Sequence, residues 1–176
     1  MTRIIDVGCG PGIWVDALNQ MAHIEAIGID IDRFLPDKDY LHRVDIFSEE
    51  FDKYNNFDIA ICFEVAEHLP EKKADEFITK LCQTAPIIYF TAAQPDQGGW
   101  GHINEQPPSY WENKFNENNY ILDPEETQKI KDYLSKGIYM GWMMNNIQVF
   151  KNYGSMYYDT ISNEEIEPAR HLALYF

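Results

Sequence analysis

Three glycines at alternate positions, Gly8, Gly10 and Gly12, follow the apolar segment Ile4-Ile5-Asp6-Val7 and precede a helical segment that starts near Ile13. A glycine-rich turn between a strand and a helix lets a ligand approach the backbone closely and presents free N–H groups at the helix start. An ordinary tight turn draws on the same residues. Spacing narrows the ligand. A dinucleotide turn reads G-x-G-x-x-G, with glycine or alanine at position 13, where this sequence has Ile13. No Lys-Ser/Thr pair follows, so a P-loop is excluded as well. Asp30 ends the segment Ile27-Gly28-Ile29-Asp30, 22 positions after Gly8, at the separation expected of an acid that accepts from both ribose hydroxyls. Asp45, in Arg43-Val44-Asp45-Ile46, is placed to accept from an adenine amine while Ile46 packs on the ring. Three such features fall at the carboxyl ends of three successive strands, which is where open α/β sheets bind ligands.

A second group of reactive residues lies in the segment 92–111, which holds three prolines and three glycines. Its length and composition read as a functional loop. His102, with Asn104 and Glu105 beside it, is the candidate general base or acceptor-orienting group there; the same residues would also serve to pin the loop. His68, after Glu67, is a second catalytic candidate whose alternative role is to satisfy N–H groups at a helix end. Tyr139, Trp142, Tyr153, Tyr157 and Tyr158 could line an acceptor pocket or belong to the core. The five histidines, at 23, 42, 68, 102 and 171, show no paired spacing, so no metal cluster is predicted.

These residues need a scaffold that brings strand ends together. Strand-length apolar runs alternate with helix-period segments over the first 95 residues, the pattern of a parallel sheet covered by helices. Strands are predicted over 3–7, 26–30, 41–45, 57–63 and 86–91, and helices over 13–21 and 72–83. Beyond the loop come helices over 107–115 and 125–136 and a strand over 147–151. Pro124 with Glu125 and Glu126 is a good helix start, and Gly137 is a stop. The tail, about 152–176, is left unplaced, and 1–176 is expected to form a single domain.

The run Asp6-Val7-Gly8-Cys9-Gly10-Pro11-Gly12, then Gly28-Ile29-Asp30, then Asp45, then Phe57-Asp58-Ile59-Ala60-Ile61-Cys62-Phe63-Glu64-Val65-Ala66-Glu67-His68-Leu69 resembles the class I S-adenosylmethionine-dependent methyltransferases. The resemblance covers roughly the first 95 residues. It implies an α/β fold, a Rossmann-like three-layer sandwich whose seven-stranded, mostly parallel sheet has one antiparallel strand near the C-terminus. It implies S-adenosylmethionine as cofactor. Gly8, Gly10 and Gly12 would pass under its methionine part, Asp30 with Ile31 would hold the ribose, and Asp45 with Ile46 the adenine. Phe63, Glu64 and Val65 would border the methyl-donor pocket, and Asp6 would order the loop or meet the cofactor amine. Most members of the family carry a helix before the first strand where this sequence has Met1 and Thr2, so the expectation is cover from the tail or from a second subunit in a homo-oligomer, or else an open site that binds weakly.

Composition bears on the acceptor. Fourteen basic against 29 acidic residues give a net charge of −15, which repels phosphate backbones and anionic lipid and suits a cofactor bearing a sulfonium and an amine. Phe63-Glu64-Val65-Ala66 stands where amino-group methyltransferases of DNA bases carry an Asn/Asp-Pro-Pro-aromatic tetrad, and there is no Pro-Cys nucleophile. The expectation is methyl transfer to a small-molecule or glycan acceptor, at oxygen, with nucleic acid disfavoured. A protein or peptide methyltransferase and a non-catalytic cofactor-binding module are the alternatives. Cys9, Cys62 and Cys82 form no CxxC pair, and none is read as catalytic. With no run of the roughly 18–20 apolar residues that span a bilayer and no secretory signal, a cytoplasmic protein is expected.

Overall fold

The computed structural model describes residues 1–135 and 141–154. Gly137, Tyr139, Tyr157, Tyr158 and most of the tail lie outside the described residues. Seven strands form one sheet: β1 (Thr2–Val7), β2 (Ile24–Asp30), β3 (Leu41–Arg43), β4 (Ile59–Phe63), β5 (Ile87–Thr91), β6 (Tyr120–Leu122) and β7 (Gln148–Asn152), in the order β3-β2-β1-β4-β5-β7-β6. All pairings are parallel except those of β7, which runs antiparallel to both β5 and β6. This is the sheet that the resemblance implies.

Alternation along β1 builds two cores. Ile4 points to one face, where Val15 and Leu18 of α1 (Ile13–Leu18) and Ile130 of α4 (Pro124–Leu134) cover it. Ile5 and Val7 point to the other, against Phe77, Ile78 and Leu81 of α2 (Ala74–Cys82) and Trp111 and Phe115 of α3 (Pro108–Glu117). Strands buried on both faces read as nearly continuous apolar runs, as β1 and β5 do. α4 begins as its sequence suggests: Pro124 sits in the first turn, and the Asp123 side chain accepts from the Glu126 N–H at 2.9 Å.

Boundaries differ from expectation for physical reasons. α1 stops at Leu18 rather than at residue 21, and the Asn19 side chain ties the chain there to β2, accepting from Ala26 N–H at 2.8 Å and donating to Ala26 O at 2.9 Å. β3 ends at Arg43, since Asp45 turns the chain, its side chain accepting from Phe47 N–H at 2.9 Å. β6 and the short α5 (Gly141–Asn146) were not anticipated.

β1 is the switch point: the chain moves from it to β2 and β3 on one side and to β4 and β5 on the other. A crevice must open there at the carboxyl ends. The far half of the sheet is held by Phe115, which is fully buried, stacks on Phe150 of β7 at 3.8 Å and meets Phe90 of β5 edge-on at 5.3 Å. Phe115→Ala is expected to cost about 3–5 kcal/mol, read as a lower urea midpoint with an unchanged slope.

Candidate active site

The glycine turn is fastened to β2. The N–H groups of Gly8 and Cys9 both donate to Ile29 O, at 2.8 and 3.1 Å, and Gly10 N–H donates to Asp30 Oδ2 at 2.8 Å. Asp32 N–H donates to the other Asp30 oxygen, also at 2.8 Å. The Asp30 carboxylate is thus oriented by two backbone donors while keeping lone pairs for a ligand. Gly8 lies at φ +81°, and a Cβ there would sit 2.3 Å from Val65 Cγ2; Gly12 lies at φ +83°, with Leu41 methyls 2.8 Å from where its Cβ would be. Both turns therefore require glycine.

Gly8, Asp30, Ile31, Asp45, Ile46 and Val65 line one cleft of about 370 Å³, within the range of small-molecule sites. Glu64 and His68 also stand on its wall. Gly10 and Gly12 lie in the turn beside it and do not line it. Phe63 does not line it; its ring packs on Trp14 at 5.4 Å. Asp6, two residues before Gly8, is buried with Oδ2 unpartnered. Burial, and then the charge of Asp30, push its carboxyl up to about 8.

At the end of β4 the backbone is strained: Glu64 sits at φ +55°, with its N–H held by Thr91 O and Oγ1 at 3.2 and 3.0 Å. Such conformations concentrate at functional sites. The Glu64 carboxylate accepts from Gln97 Nε2 and Asn146 Nδ2, both at 3.2 Å. Three residues on, Glu67 is fully buried: Oε1 accepts from Ala93 N–H at 3.3 Å and Oε2 has no partner. Its carboxyl is raised above the usual range by burial first and by the neighbouring Glu64 second. Glu67 O accepts from Ile103 and Asn104 N–H at 2.9 and 3.0 Å, which draws the loop 92–111 onto the end of β4.

That contact assembles a cluster. The rings of His68 and His102 meet edge-on at 5.0 Å. His102 Nε2 is 4.0 Å from Glu67 Oε1, and His102 Nδ1 is 2.9 Å from Glu105 Oε1. His68 Nδ1 lies 3.1 Å from Gly101 O; because a carbonyl only accepts, His68 donates there. Hydrogen bonding to His102 holds the Glu105 carboxyl below the usual range. Thus His102, Glu105 and His68 come together and Glu67 joins them, while Gln97 and Asn146 hold Glu64; none of these last three partners was singled out. The signal for Glu67 was the doublet Glu67-His68 at a strand end; Gln97 and Asn146 carried none. Trp142 is 41% exposed and Tyr153 76% exposed, and neither lines the cleft. The cysteines form no disulfide, and burial pushes the Cys9 and Cys62 thiols up, away from the reactive thiolate.

A family model described as a methyltransferase domain matches residues 2–136. The chain belongs to this methyltransferase family. No curated protein sequence matches it. Among solved structures it is similar to a SAM-dependent methyltransferase from Archaeoglobus fulgidus, with a TM-score of 0.58 and 19% identity over 68% of this chain and 61% of that one. It is also similar to small RNA methyltransferase HEN1, with a TM-score of 0.60 and 18% identity over 88% of this chain and 23% of that one. Magnesium protoporphyrin IX methyltransferase from Synechocystis, with bound SAH, gives 0.52 and 18% over 68% and 64%. The methyltransferase thus spans about three fifths of the Archaeoglobus protein's length, and at these identities the likeness is one of fold. None of its described helices is long and apolar enough to cross a membrane.

Asp6 gives the methyltransferase a measurable pH dependence. Its folded-state value of about 8 lies above the ordinary 3.8, so between these limits the native state binds more protons than the unfolded chain and stability falls as pH rises. Asp6→Asn is expected to flatten this slope and to stabilise the protein above pH 8, as checked by urea unfolding across the window.

Proposed function

We propose that the domain transfers a methyl group from S-adenosylmethionine to a hydroxyl of a small-molecule or glycan acceptor. The observation that carries the reading is that the cleft lined by Gly8, Asp30 and Asp45 shares His68 with the His68–His102–Glu105 cluster. Donor-binding and proton-accepting groups therefore sit side by side.

The residues fit the cofactor. Asp30 and Asp45 offer carboxylate acceptors at successive strand ends, Ile31 and Ile46 offer apolar contact, and the unpartnered carboxyl of Asp6 suits a cationic amine. The magnesium protoporphyrin IX methyltransferase, crystallised with SAH, supports the choice. When bound, the cofactor supplies an electrophilic methyl group on a sulfonium centre. Methyl transfer depends chiefly on alignment, and the glycine turn and the Glu64 hydrogen bonds fix the walls that provide it. With its Nδ1–H donated to Glu105, His102 keeps a lone pair on Nε2 and can take the proton of an acceptor hydroxyl. Glu105 stabilises the imidazolium that results.

Calorimetric titration with S-adenosylmethionine, S-adenosylhomocysteine and NAD tests the assignment. Both sulfur compounds should bind and NAD should not, and Asp30→Ala should lose about ten- to a hundredfold in affinity, the worth of charged hydrogen bonds. In a screen of hydroxylated acceptors, His102→Ala should keep cofactor affinity and lose about 10²–10⁴ in turnover. Absence of binding by either sulfur compound overturns the reading, and binding without turnover leaves a cofactor-binding module.

A further inference from the structure

We propose that Trp100 is the acceptor-binding platform of the methyltransferase and that it selects a phenol-type acceptor, a hydroxyl on a flat, uncharged aromatic ring that stacks on the indole. The inference deepens the methyl-transfer reading and rests on it.

Trp100 is 95% exposed, and Ile103, 64% exposed, follows on the other side of His102 in the chain. The backbone that carries the indole is nonetheless well placed. His68 Nδ1 donates to Gly101 O at 3.1 Å, and the N–H groups of Ile103 and Asn104 donate to Glu67 O at 2.9 and 3.0 Å. A Cβ on Gly99 would fall 2.3 Å from His102 Cε1 and 2.4 Å from its Nε2, and one on Gly101 would fall 3.3 Å from His68 Nδ1. The residues on either side of Trp100 thus lie against the two imidazoles. Large rings dominate the energetics of burial, so an indole left in water at this place has contact area to gain from a second ring.

The surroundings define which ring. Residues 92–113 contain no lysine or arginine and carry Asp96, Glu105 and Glu112, so an acceptor bearing phosphate or carboxylate meets no counter-charge there. Flat rings pair with an indole at centroid separations of about 4.5–7 Å, which keeps a stacked acceptor next to the backbone that abuts His102 Nε2. In the transfer, the hydroxyl oxygen forms the bond to the methyl carbon, the carbon–sulfur bond breaks with its electron pair on sulfur, and the hydroxyl proton goes to His102 Nε2. A phenol ionises near pH ~10, far closer to an imidazole than a sugar or alkyl hydroxyl does. A histidine base is therefore matched to a hydroxyl on an aromatic ring.

The test titrates the full chain, loaded with S-adenosylhomocysteine, with 2-naphthol by calorimetry and compares steady-state methylation of 2-naphthol, methyl glucoside and adenosine. 2-Naphthol is expected to be preferred. Trp100→Ala should raise its Kd and KM about tenfold, the worth of an aromatic pair with its buried area. Because a platform binds ground state and transition state alike, kcat should stay within about twofold, and S-adenosylmethionine affinity should not change. Trp100→Phe should restore most of the acceptor affinity. The side chain is exposed, so neither substitution disturbs the core. Preference for methyl glucoside or adenosine, or an unchanged 2-naphthol KM in Trp100→Ala, overturns the inference while the methyl-transfer reading stands. A dimer that dissociates in Trp100→Ala with 2-naphthol affinity unchanged assigns the indole to an interface between copies and likewise overturns it. Absence of S-adenosylmethionine binding overturns the reading, and the inference with it.

Discussion

The absence of a side chain at Gly8 is the constraint on which the site depends. With Val65 Cγ2 only 2.3 Å from where a Cβ would be, the turn after β1 and the end of β4 are in direct contact. Parallel neighbours in a sheet are spaced by their hydrogen bonds, and their carboxyl ends normally diverge into separate loops. Here the chain after β1 is pulled to β2 by the shared Ile29 acceptor, while its outer edge is filled by Val65. The cleft is the space left on one side of that contact. On the other, Glu64 is forced into a left-handed conformation, which turns the following residues toward the loop after β5.

Electrostatics sets a second demand. Asp6 and Glu67 are carboxyls buried beside another acid, in a chain whose net charge is −15. For both, the raised affinity for a proton comes first from lost hydration. Among the described residues neither is paired with a lysine or arginine, though surface ion pairs such as Lys53–Glu50 and Lys129–Glu125 are present. Exposed pairs of that kind contribute little to stability, and perturbed carboxyls concentrate at functional sites. Groups that cost stability in the folded protein and are relieved by a cation suit a protein whose ligands carry positive charge.

The legible and illegible parts of the sequence divide by range. Gly8, Asp30 and Asp45 each follow an apolar run within a few positions, so they could be located from local pattern alone, and the cleft collects them. β1, β2, β4 and β5 were equally legible, because burial on both faces leaves an apolar run that nothing else produces. β6 is three residues long and pairs only with β7, too short for alternation to register. α5 contributes Asn146 rather than an amphipathic stripe, so no periodicity announced it. Phe63 was singled out for the backbone at the end of β4, and alternation along that strand sends its ring to the Trp14 side. Strand end is a property of sequence position, whereas face is decided by register.

The histidine cluster obeys neither rule, since it exists only through the tertiary contact of residues 67–68 with 101–105. Glu67 is the common node. Its carbonyl receives two N–H groups of the loop, and its side-chain Oε1 receives a third from Ala93 and lies 4.0 Å from His102 Nε2. Backbone hydrogen bonds to a buried carbonyl hold the loop more firmly than the glycine-rich stretch 98–101 would suggest, because opening them would strand polar groups away from water. Beyond these bonds, at the tip, Trp100 is 95% exposed. An acceptor meeting this tip would encounter the exposed indole of Trp100 first and the hydrogen-bonded cluster of imidazoles behind it, so first contact and alignment fall to different residues of one loop.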